Sequence, residues 1–146
     1  MTDLLLAIAH HLLVFALVGL MVAQRALLRS ARIDPALLAR VDAGFGGVAG
    51  LVLLAGVIRV VWGARGFAFY EGNPFFWGKI AAFVAIGLLS IRPTLRFLAW
   101  RRAARTDAAF RPPAAEVARV RRRVDLELLL LIPLLACAAA MARWPL

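Results

Sequence analysis

NPFFWGKIAAFVAIGLLSIRPTLRFLAW, residues Asn73 to Trp100, decides what kind of molecule this chain makes. It is apolar over more than the roughly 20 residues a helix needs to cross a bilayer. An Asn-Pro pair opens it: the Asn73 side chain caps free N–H groups, and Pro74 lacks only an N–H that the first turn leaves unpaired. Six residues in, roughly 9 Å along the axis at 1.5 Å per residue, lies Lys79, the single lysine among eighteen basic residues. A chain that otherwise writes positive charge as arginine keeps a lysine here. The amine meets the positive end of the helix dipole, and Phe75, Phe76, Trp77 and Ile80 strip away water, so the position asks for an anion beside it. The competing reading is a side chain whose four-carbon stem carries the ammonium back to the headgroups.

The rest of the chain agrees with a membrane setting. With 146 residues, 64% of them hydrophobic, and a mean hydropathy of +0.85, there is too little polar surface to cover a soluble core. Apolar stretches at about 4–23, 43–62, 75–98 and 124–142 each reach spanning length. The expectation is an all-α, integral membrane four-helix bundle, one domain over residues 1–146. The start MTDLLLAIAHH has no basic residue before its apolar run, so the first span is expected to stay in the protein. A single cysteine, Cys137, excludes an intrachain disulfide.

The net charge of +10 is distributed for topology and not for nucleic acid. Arg25, Arg29, Arg32 and Arg40 fall between the first two spans, and eight arginines from Arg101 to Arg123 fall between the last two. Both loops then face the cytoplasm and both termini the periplasmic side. Anionic lipid headgroups at the cytoplasmic face are the natural partners of those loops, alongside the lipid bilayer itself. Trp62, Tyr70, Trp77 and Trp144 are expected to form an outer aromatic belt and Trp100 an inner one.

Candidate ligand-binding residues gather at the outer depth: His10 and His11 on the first span, Arg59 on the second and Lys79 on the third, with Cys137 and Met141 of the fourth at a similar level. Adjacent helical residues point about 100° apart, so His10 and His11 cannot both face one spot. One of the two could ligate a haem iron, but two-histidine ligation within one chain is excluded. Asp3 and Glu71 are the only acidic residues on this face, so the cations lack counter-charge and call for a lipid phosphate, a porphyrin propionate or a semiquinone. Several other features read as structural. Gly46 and Gly50 predict that the second span is the most tightly packed. Pro93 is expected to kink its helix or to end the membrane-embedded part of it. Asp125 and Glu127 are spaced to pair with Arg121, Arg122 and Arg123. The inner half of the bundle shows no chain of polar residues to carry a transport path.

The segments HHLLVFALVGL and FWGKIAAFVAIGLLSIRPTLRFLAW resemble a family of short four-helix bacterial membrane proteins, domain of unknown function 2214, and the likeness extends over nearly the whole chain. It implies a multi-pass protein of the bacterial inner (plasma) membrane and brings no activity with it. A second likeness is to the small membrane protoporphyrinogen oxidases of bacteria. His10, Gly19-Leu20 and Arg25 resemble one of their patterns and Trp77 with Lys79 another, although no histidine follows Lys79. That resemblance implies a haem-bearing oxidase. The leading expectation is a membrane protein that binds an anionic planar redox ligand, haem b or a quinone, through His10, His11, Arg59 and Lys79. The alternatives are a structural subunit or assembly factor, in a homodimer or a larger membrane complex, and a transporter component.

Overall fold

The computed structural model describes residues 2–63 and 66–144, which form helices and short connections. The helices are α1 (Thr2–Leu27), α2 (Pro35–Trp62), α3 (Gly66–Glu71), α4 (Pro74–Thr106) and α5 (Ala114–Ala142). All but the six-residue α3 are long and apolar enough to cross a membrane. α1 packs on α2, α2 on α4, α4 on α5, and α5 closes back on α1. The four long helices thus run up and down in a ring, with α1 facing α4 and α2 facing α5 across the diagonals. One end of the bundle carries Lys79 and is called the lysine end. The other, where α1 joins α2 and α4 joins α5, is the arginine end.

The helix starts follow their capping chemistry. The Asp34 carboxylate accepts from Ala36 N at 2.8 Å and Leu37 N at 3.1 Å, with Pro35 in the first turn. Asn73 accepts from Phe75 N at 3.0 Å. It is fully buried, and its amide nitrogen donates to the Met141 carbonyl at 3.4 Å, so the residue that starts α4 also ties it to the end of α5. α5 begins after Pro113, without a side-chain cap.

Two apolar cores hold the ring. Leu17, Met21, Phe45, Ile86 and Leu131 fill its middle. Leu28, Leu38, Ala39, Phe97, Trp100, Val120 and Val124 fill the arginine end. Phe15, Leu88 and Ile132 point outward, as side chains solvated by lipid do. At the lysine end α4 and α5 come close: a Cβ on Gly78 would stand 2.9 Å from Cys137 Sγ.

α4 runs through Pro93 to Thr106, with the proline buried inside the ring. Several expectations are corrected. Trp100 is no belt residue. It is buried against Phe97 and its Nε1 donates to Glu116 Oε2 at 3.1 Å, which satisfies its one polar atom inside the fold. Tyr70 is also buried, since the short α3 turns it against Phe69 and Phe76, whereas Trp62 and Trp77 are exposed. The glycine pair of α2 does not pack against the chain's own helices: nothing lies within 4 Å of where a Cβ would stand on Gly46 or Gly50. Leu38, Asp42, Phe45 and Val52 turn a neighbouring side of α2 inward.

Candidate functional site: two polar layers in the bundle

Each long helix contributes one polar or sulfur-bearing residue to a layer at the lysine end: His10 from α1, Arg59 from α2, Lys79 from α4 and Met141 from α5. His10 is turned into the bundle. Its ring lies against α2 where Gly56 leaves room, its Cε1 3.8 Å from the position a Cβ would take, and the Val52 carbonyl faces the imidazole. His10 Nδ1 is nevertheless buried and makes no hydrogen bond of good geometry. Arg59 and Lys79 are both within electrostatic reach of this ring and of each other.

Lys79 is half-buried and held inward. Its Nζ lies 3.9 Å from Met141 Sδ and 5.4 Å from the centroid of the Phe76 ring. A thioether and an aromatic face are soft, weak partners for an ammonium. Arg59 Nε is buried without a hydrogen-bond partner. Among the described residues the two ion pairs are Arg25 with Asp125 and Arg96 with Glu116, so neither Arg59 nor Lys79 has a carboxylate. Positive charge is concentrated here with no ion-pair partner among the described residues.

His11 is not brought into the group. It is exposed, its Nδ1 donates to the Ala7 carbonyl at 2.6 Å, and its ring stands edge-on to His10 with centroids 6.3 Å apart. The 100° step between neighbours on a helix accounts for the split. His10 is therefore the one imidazole available to an iron or a proton inside the ring of helices, and Met141 Sδ and the free Cys137 thiol are sulfur donors near the same level. Two surface clefts, of about 360 and 520 Å³, are formed elsewhere. Both lie at the arginine end, and Arg29, Arg32, Arg111 and Arg121 line the larger.

The second layer is one that the sequence reading missed. Gln24 of α1, Asp42 of α2, Thr94 of α4 and Glu127 of α5 meet inside the ring. Gln24 Nε2 donates to Asp42 Oδ1 at 3.1 Å, the Thr94 hydroxyl faces the same carboxylate, and Glu127 is within electrostatic reach of Asp42. Gln24 and Glu127 are 1% exposed and Asp42 6%. From His10 to Gln24, Asp42 to Arg59, Lys79 to Thr94 and Glu127 to Met141 the separation is 14 to 17 residues, about 21–25 Å at 1.5 Å per residue. The layers are thus near opposite edges of a hydrocarbon slab roughly 30 Å thick.

Glu127 lies near the inner edge of the span but is buried in the ring and forms no ion pair with its own helix among the described residues, where its spacing to Arg123 suggested one. Asp125 pairs with Arg25 of the neighbouring α1, because positions 125 and 127 are about 200° apart around α5 and face α1 and the ring interior respectively. The inner half of the bundle does hold a set of polar residues. A signal was present in the sequence, since Gln24, Asp42, Thr94 and Glu127 are each isolated polar residues on the helices that form the spans. What was missing was the knowledge that the four share one depth.

A model of the family described as predicted membrane protein (DUF2214) matches residues 2–144. No curated protein and no solved structure matches the chain, and the likeness to the small protoporphyrinogen oxidases gains no support from the comparisons. Arg25, part of that pattern, is occupied by Asp125 at the arginine end, far from His10 and Lys79.

Proposed function

Because the chain belongs to the predicted membrane protein family DUF2214, we propose a function from the chemistry of its lysine-end layer: binding an anionic, planar redox ligand inside the bilayer. Lys79 and His10 are the polar contacts and Arg59 supplies further positive charge. The observation that carries this reading is the pair of buried nitrogens without partners, His10 Nδ1 and Arg59 Nε, beside a lysine held only by a thioether and a ring. Buried polar groups are normally satisfied, and buried cations normally paired. A ligand with negative oxygens supplies what the protein omits.

Between the two candidate cofactors, a quinone suits the layer better than haem b. His10 is the only imidazole that faces inward, and α4 lies close against α5 at Gly78 and Cys137, which leaves a slim headgroup easier to admit than a macrocycle. In the proposed orientation the arginine end faces the cytoplasm, with its arginine-lined cleft toward anionic lipid headgroups, and the lysine end faces the periplasm of a bacterial inner membrane.

The test is direct. Protein purified in mild detergent is expected to carry a quinone in its organic extract or, if haem b is the ligand, a visible absorption band. Colourless protein whose extract holds no quinone in proportion to the chain overturns the proposal.

A further inference from the structure

We propose that the layer at the arginine end, Gln24, Asp42, Thr94 and Glu127, is a binding site for a sodium ion. Two carboxylates, one from α2 and one from α5, are enclosed by all four long helices. Asp42 receives the Gln24 amide at 3.1 Å and the Thr94 hydroxyl. Glu127 is 1% exposed, lies within electrostatic reach of Asp42, and its Oε1 is buried with no hydrogen-bond partner. An unpaired buried carboxylate oxygen near a second carboxylate is a costly arrangement unless a proton or a metal ion shares the charge.

The protein's own cations do not fill that role. Arg25 is taken by Asp125. Arg123, one turn before Glu127, is within electrostatic reach of it but forms no ion pair with it among the described residues. The donor set is all oxygen: two each from Asp42 and Glu127, one each from the Gln24 amide and the Thr94 hydroxyl. Such hard donors exclude the ions that prefer nitrogen or sulfur. Calcium takes six to eight oxygens, more than this layer can turn to one point while Asp42 Oδ1 is engaged by Gln24. A monovalent ion held by fewer contacts fits.

The experiment is a thermal melt of the full chain in mild detergent, with sodium chloride replacing choline chloride at constant ionic strength so that screening is unchanged. A melting temperature that rises saturably with sodium, by about 5 °C at large excess, is the expected result. The rise is lost in Asp42→Asn and in Glu127→Gln and kept in Glu71→Gln, whose carboxylate is exposed at the other end. Should the Glu127 variant fail to fold, sodium NMR line broadening by the wild-type chain, reversed by excess lithium as a competing monovalent ion, is the second readout. Identical melts in sodium and choline with no line broadening overturn the site. A rise given by calcium and not by sodium overturns the monovalent assignment.

Discussion

His10→Ala is expected to weaken binding of the proposed ligand by roughly ten- to hundredfold, while His11→Ala leaves it unchanged. The loss corresponds to about 1.5–3 kcal/mol, the usual contribution of a hydrogen bond to a charged group. The two histidines are neighbours in sequence, so composition, expression and gross helicity change equally in both variants. What differs is direction. His10 lies against Gly56 inside the ring with Nδ1 unpartnered, and His11 is exposed and bonded to its own helix at Ala7. Titration of each variant with a quinone analogue checks the difference. Equal losses in the two would mean that the effect comes from disturbing α1 and not from a site.

The second large effect concerns stability. Phe97→Ala is expected to cost about 3–5 kcal/mol, more than Ile86→Ala in the middle of the bundle. Phe97 is 0% exposed and packs with Trp100, Leu28, Leu38 and Val120. Counted from Trp77, it is 20 residues along α4, about 30 Å at 1.5 Å per residue, so it stands at the far edge of the hydrocarbon. There the alternative to burial is interfacial water, and the hydrophobic effect acts in full. At Ile86 the alternative is lipid, which is as apolar as the core, and only packing is lost. Unfolding in mixed detergent followed by helical circular dichroism separates the two. An Ile86 variant as costly as the Phe97 variant would place both cores in the same solvent.

The fold was largely legible because its signals are local. The apolar lengths, the Asp34-Pro35 and Asn73-Pro74 starts and the long final helix after Pro113 all depend on neighbouring residues in the chain, and the structure has each of them. The depth of His10, Arg59 and Lys79 was legible for the same reason, since counting residues along a helix gives height. Facing is a different property. The inward turn of Trp100 and Tyr70, the open side of Gly46 and Gly50, and the burial of Glu127 depend on which neighbour each helix meets, and nothing in a single span states that. The error at Glu127 is instructive. Its spacing to Arg123 satisfies a local pairing rule, yet its surroundings are decided by burial inside the ring and by the charge of Asp42, 85 positions away in the chain.

Lys79 is the only lysine of the chain, so an amine-reactive reagent read out on the peptide that contains it reports on the centre of the proposed site. Labelling of the purified protein is predicted to be slowed by a quinone analogue, with the protection lost in His10→Ala and retained in His11→Ala. Labelling at one rate with and without the analogue, in wild type and both variants alike, would contradict the convergence of His10, Arg59 and Lys79 on an anionic ligand.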